Sequence, residues 1–360
     1  MLRESAKNEI KNKLKSTLLL IVLFSLTACS TISYYGQSVI GHSRLMLARQ
    51  SIDEVIKTAE PELKNRLLLA KQLRQFAVDE LALPDNGSYS SYVDLKREYP
   101  VWTVVATEEF SLTPKSWCYL VIGCASYRGY FNQTKALKYA DHLQAQGLET
   151  HVSGAIAYST LGWFSDPLLP SMLRYGEADF AENMFHELAH QVLYVNGNTA
   201  FNEAFASVVG EYGAVRWLQL HNSDQEGAYY QRLRFNEDFI KLLNDTKAQL
   251  AELYARELSE QDKRIAKANI FALIQTNYIE LKNTRWKGEG VFDRWFDTPI
   301  NNARLAAIST YRDEMPRFEK LLALCEYDLN RFFSLLTLTS KAHKANELLQ
   351  NLPTNCELND

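Results

Sequence analysis

The sequence has no CxxC pair, no internal repeat, no low-complexity linker and no surplus of positive charge. Each absence excludes something. Without a CxxC pair, a cysteine-type zinc site lacks its usual ligand spacing. A formal charge of −4 over 360 residues offers no concentrated basic surface to displace counterions from nucleic acid. Hydrophobic residues at 46% and charged residues at 23% are the proportions of a globular chain, neither disordered nor a membrane bundle. At this length it can bury one large core or two modest ones.

What positive charge there is stands at the start. Lys7, Lys11, Lys13 and Lys15 precede "TLLLIVLFSLTA" and then Cys29, the order of a secretory signal whose apolar stretch is too short to be a resident span. Leu26-Thr27-Ala28-Cys29 resembles a bacterial lipobox. That resemblance implies a signal peptide over 1–28, a lipidated Cys29 that holds the mature chain on the membrane, and, with Ser30 next, an outer-membrane address facing the periplasm. Four cysteines remain, Cys118, Cys124, Cys325 and Cys356, an even count in a compartment that tolerates disulfides. Proximity favours Cys118 with Cys124 and Cys325 with Cys356.

Residues 29–360 read as one α+β domain, mostly α, with an N-terminal helical arm. From Gly36 to about Leu81 apolar residues return at three and four, predicting two helices broken near Pro61. "WTVVAT" and "THVSGAIAYST" read as strands, with "ALKYADHLQAQG" a helix between them that Gly147 closes. Long helices are expected near 224–257 and 260–282, and two more near 302–322 and 326–349.

The chemistry concentrates in "HELAHQVLYVNGNTAFNEAFAS", residues 186–207. His186 and His190 stand four apart, so on a helix their Cβ atoms lie about 5–6 Å apart on one face and both imidazoles can reach one ion. Glu187 lies beside that pair, placed to act as a base rather than a ligand. Met184, Leu188 and Val192 supply the opposite side, and Gly197 between two asparagines ends the helix. An antiparallel return brings Glu203 back over the histidines. Two imidazoles and one carboxylate leave a fourth position open, as in a catalytic zinc site. Glu211, two turns on, is a candidate acceptor for a ligand histidine or a surface residue. Tyr158 and Tyr311 are candidate donors to a developing oxyanion. Arg128 is read as pairing internally, and His42, His142, His151, His221 and His343 lack partners at ligand spacing.

"WCYLVIGCASYRGYF", "AYSTLGWFSDPLL", "FHELAHQVLYVNGNTAFNEAFA" and "NNARLAAISTYR" resemble, in that order, segments of the zinc aminopeptidase-like family of proteobacterial lipoproteins, over about 34–318. The resemblance implies a zincin-like fold and a gluzincin-like peptidase with one zinc on His186, His190 and Glu203 and Glu187 as base. This chain has Ala204 where the family has Ser and Ser165 where an acid is usual. Its strand "SGAIAYST" carries no acid of the kind that clamps a substrate amine in gluzincin aminopeptidases.

The expectation is therefore a lipid-anchored zinc peptidase acting on peptides, with exopeptidase action implied by the resemblance. A zinc-holding or metal-free lipoprotein that binds peptides or peptidoglycan without turnover is the alternative from another class. An endopeptidase of misfolded envelope proteins is the third.

Overall fold

A computed structural model describes residues 34–119, 123–308, 312 and 314–357. The described residues fall into two compact units, one ending at Ala48 and the other beginning at Arg49. In the first, a helix (α1) spans residues 34–47 and exposes Val39, Ile40 and Leu47. Among the described residues no helix is long and apolar enough to cross a membrane.

The second unit is α+β and mostly helical. It opens with β1 (Gln50–Ser51), α2 (Ile52–Thr58) and α3 (Pro61–Asp79). The stretch from Gly36 to Leu81 therefore holds three helices, not two. The additional break arises because Gln50 and Ser51 pair with Tyr92 and Ser91 of β2 (Ser91–Tyr92), and an extended ladder cannot be helix. At Pro61 the break falls where expected, with the ring at the first helical position, where its missing N–H costs no bond.

β3 (Trp102–Thr107) is the centre of an antiparallel sheet, between β6 (Arg128–Tyr130) and β7 (Glu149–Gly154). α4 (Gln133–Gln144) packs against all three strands, and α11 (Asn302–Ile308) packs against β3 and β7. Alternation along β3 turns Val105 toward Ala303 and Ala306 of α11. It turns Val104 and Ala106, both fully buried, to the other face. The expected strand over "THVSGAIAYST" stops at Gly154, and 155–160 leaves the sheet. β4 (Trp117–Tyr119) and β5 (Gly123–Ala125) form a hairpin in which Cys118 faces Cys124, and the two are bonded. Cys325 is bonded to Cys356, so both expected pairs are present.

After α5 (Pro170–Leu173) come α6 (Glu177–Val192) and α7 (Thr199–His221). α8 (Glu226–Ala255) and α9 (Glu260–Thr284) match their expected spans closely and close a separate aromatic-rich cluster around Phe239, Tyr278 and Trp286. α10 (Asp293–Phe296) follows, then α11, α12 (Met315–Leu324) and α13 (Leu329–Ala342). The helix expected over 302–322 is thus two helices, and the one expected over 326–349 ends at Ala342. The main core gathers α3, α6, α7, α12 and α13, with Phe180, Phe185, Phe201, Phe205, Phe318 and Phe332 fully buried.

Asn301, Asn302 and Arg304 brace this frame. Asn301 donates to the Thr150 carbonyl at 3.0 Å, and Asn302 donates through its side chain to the Glu109 carbonyl at 2.9 Å and through its backbone to Glu149 at 2.7 Å. The Arg304 guanidinium donates to the Thr298 carbonyl at 2.6 Å and lies 4.3 Å over the Trp295 ring. Burial, and then the Arg304 charge, push His151 down to about 4, so this half-buried histidine is neutral at neutral pH.

Candidate metal centre

α6 and α7 make the most extensive helix-to-helix contact described. They run antiparallel: Trp217, near the end of α7, donates to Glu177 at the start of α6 at 2.8 Å, while Glu203, near the start of α7, meets the histidines of the last turns of α6. Gly210 permits the close approach. A Cβ there would lie 2.8 Å from the Glu182 carbonyl oxygen and 3.1 Å from the His186 Cβ, so any larger residue forces the helices apart.

The connection between the helices is fixed by two asparagines. Asn198 caps α7 by accepting from the Phe201 N–H at 3.0 Å. Asn202, fully buried, accepts from the Val195 N–H at 2.7 Å and donates to the Val195 carbonyl at 2.9 Å. That pair of bonds holds the turn flat against the first turn of α7, and Glu203 is the next residue. The role of Asn202 was signalled in the sequence only by its adjacency to Glu203.

His186 and His190 bring their Nε2 atoms 3.1 Å apart with the rings nearly perpendicular. Glu203 places Oε2 3.4 Å from His186 Nε2 and Oε1 3.7 Å from His190 Nε2. One ligand atom from each of the three residues lies within 4.8 Å of the other two. Burial alone would raise the Glu203 carboxyl, but hydrogen bonding and charge from both imidazoles outweigh it and hold the group well below the usual carboxylate range. Two nitrogens of one kind face each other across 3.1 Å with an anionic carboxylate closing the third side. A hydrogen bond between neutral imidazoles makes one of these nitrogens the donor and leaves the other's lone pair facing the carboxylate, a repulsion that a cation held by all three groups removes. The donor set, nitrogen and oxygen with no thiolate, suits a divalent zinc ion.

Their other nitrogens differ. His186 Nδ1 stands 3.5 Å from the Ser207 hydroxyl, whereas His190 Nδ1 is buried with no hydrogen-bond partner among the described residues.

Glu187 stands beside that set and near the segment that leaves β7, where the Ser159 side chain is close enough to favour its charged form. Burial pushes its carboxyl up to about 7; His190 opposes, while Glu203 and Asp166 add to the rise. Tyr194, just past the end of α6, sets its ring edge-on to His190 at 6.1 Å. Its hydroxyl is raised first by burial and then by Glu203.

Tyr158 lies one residue before Ser159, edge-on to Phe131 at 5.4 Å, with its hydroxyl pushed up to about 12 by burial and then by Asp166. Glu211 pairs with Arg312 at 2.8 Å, and among the described residues no hydrogen bond joins it to either histidine. Burial, tempered by Arg312 and reinforced by Glu182 and Glu319, pushes it up to about 7. Arg128 donates to the Tyr139 hydroxyl at 3.2 Å and lies 4.7 Å over that ring, an internal role. Tyr311 and Cys29 lie outside the described residues.

These elements define a helical α+β protein with a candidate His–His–Glu metal centre on an antiparallel helix pair. Residues 33–349 match the family described as "Putative aminopeptidase", and the chain belongs to that family. Neither a curated protein nor a solved structure matches the chain.

Proposed function

We propose that the protein is a zinc-dependent peptidase, an aminopeptidase by family, held at the bacterial envelope by a lipid on Cys29. The observation that carries the reading is the convergence of His186 Nε2, His190 Nε2 and the Glu203 carboxylate, with one ligand atom from each within 4.8 Å of the others, while Glu187 stands free of that set. The family description supports peptide hydrolysis.

His186, His190 and Glu203 would hold the ion. When bound, zinc supplies a Lewis acid that makes water acidic enough to attack near neutral pH and draws charge from a carbonyl oxygen. Glu187 does the proton transfer: its carboxylate oxygen accepts a proton from the attacking water and later delivers it to the nitrogen of the departing amine. Tyr194 is the tyrosine beside the histidines and supplies a hydroxyl to the substrate oxygen in preference to Tyr158, whose ring packs on Phe131.

The test compares free and N-acetylated peptides as substrates, with and without zinc. Cleavage of free peptides alone supports an aminopeptidase. Equal cleavage of both supports an endopeptidase, and cleavage of neither removes the enzyme reading.

A further inference from the structure

The segment 159–166 borders the candidate site and ends in an apolar tip. Ser159 stands close enough to the Glu187 carboxyl to favour its charged form, and Gly162 at the crest of the loop approaches Gln191, the residue after His190. Two residues past the tip's turn, Asp166 is fully buried and clamps the loop shut: its carboxylate accepts from the Thr160 N–H at 2.8 Å and from the Thr160 hydroxyl at 2.7 Å. The Trp163 N–H donates to the Thr160 carbonyl at 3.1 Å, tightening the turn. Leu161 and Gly162 at its crest have φ of +56° and +81°. A leucine in that region is disfavoured, and such strain persists where the surroundings over-determine the backbone.

The loop also passes close to α6. A Cβ on Gly162 would lie 3.5 Å from the Gln191 Cβ, and Gln191, next to His190, accepts from the Asn86 side chain at 2.6 Å. Ser165 donates to the Asn86 carbonyl at 3.1 Å, and Arg49 donates to the Ser165 carbonyl at 2.8 Å. Held by Asp166, Asn86 and Arg49, the loop nevertheless leaves Trp163 77% exposed and Phe164 51% exposed. A tryptophan offers a large, rigid contact area at small conformational cost, which is why it recurs at binding hot spots.

We propose that Trp163, with Phe164 beside it, forms the apolar rim of the substrate site and grips an apolar or aromatic side chain of the bound peptide. The proposal rests on the peptidase reading for what the site does. It depends on the loop's own geometry for the identity of the gripping residue. The rim is preformed, so the peptide meets a fixed surface and the loop pays no ordering cost on binding.

The test measures binding apart from turnover. Full-length Glu187→Gln protein, supplied with zinc, is titrated against fluorescent peptides that differ only in Phe or Ser at a single position, and the ratio of the two affinities is read by anisotropy. Parent and variants are also assayed for hydrolysis. Adding Trp163→Ala should reduce the preference for the Phe peptide at least about tenfold, and Trp163→Phe should retain most of it, with unchanged melting temperatures. An unaltered preference in Trp163→Ala overturns the proposal, as does a protein that binds both peptides equally or neither. If the substitution instead abolishes sedimentation with phosphatidylglycerol vesicles while the preference stays, the rim serves a membrane surface and the proposal fails. Should the parent hydrolyse nothing while the Trp163-dependent preference survives, the peptidase reading falls and the rim stands.

Discussion

Glu187 and His190 differ by three positions and should fail in different ways. Glu187→Gln preserves volume and hydrogen bonding but removes the base, so zinc should remain near full occupancy while peptide hydrolysis falls at least about 10²-fold. His190→Ala should lose both, because two ligands do not hold the ion as three do. Metal content by mass spectrometry, set beside turnover, separates the two; a Gln variant as fast as the parent would take the base away from Glu187. Spacing alone made the histidines, Glu187 and Glu203 legible, since period 3.6 and one hairpin return are local geometry. Ser159, Asp166 and Tyr194 were not legible in these roles. The loop that brings Ser159 and Asp166 to the site folds back across some twenty residues of chain, and nothing in composition distinguishes one tyrosine among nineteen.

At the scale of elements, the α6–α7 pair depends on a residue with no side chain. Gly210→Ala must displace the Glu182 carbonyl, which is backbone and cannot swing aside. The expected cost is about 1–3 kcal/mol, with weaker zinc affinity as Glu203 moves off the histidines. Calorimetry and zinc titration check both. The clamped loop yields a prediction about pH. Burial, opposed by the Thr160 hydrogen bonds and by Arg49, lifts Asp166 from 3.8 to about 6. Between these values the folded chain keeps a proton that the unfolded chain has released, so this group's contribution to stability falls as pH rises through the window. Asp166→Asn keeps one acceptor and removes the titration. Its stability relative to the parent should therefore rise by about 2 kcal/mol between pH 4 and pH 7, and parallel denaturation curves at the two pH values would contradict this. The long amphipathic helices were readable because their periodicity persists over many turns. The breaks at 48–51 and beyond Ile308 were not, the first because a two-residue strand pairing with residues forty positions away leaves no periodic trace.

For the whole molecule, the two disulfides staple regions of different size. Cys118 and Cys124 are six positions apart and close a hairpin, whereas Cys325 and Cys356 are thirty-one apart and tie the C-terminal segment beside α13 to the end of α12. Constraint of the unfolded chain should contribute about 2.5 kcal/mol from the first and about 3.5 kcal/mol from the second. Double Ala variants of each pair, compared by thermal melting, should rank in that order. The proposed lipid on Cys29 is tested apart from the fold: fatty-acid labelling of the parent should disappear in Cys29→Ala, and labelling that persisted would take that role away from Cys29. Both pairings were legible from an even cysteine count and proximity, while the frame around Asn301, Asn302 and Arg304 was not, because its partners are largely backbone carbonyls that any sequence supplies.

Seventeen positions separate His186 from Glu203, and this short span affects how the molecule forms as well as what it does. The entropy of closing a loop grows with the logarithm of its length, so drawing the carboxylate from a hundred residues away would cost about 1.5 kcal/mol more. A centre built from one helical hairpin has low contact order, and such contacts form early in folding. The three ligands can therefore assemble before the sheet, the clamped loop and the C-terminal helices have closed around them.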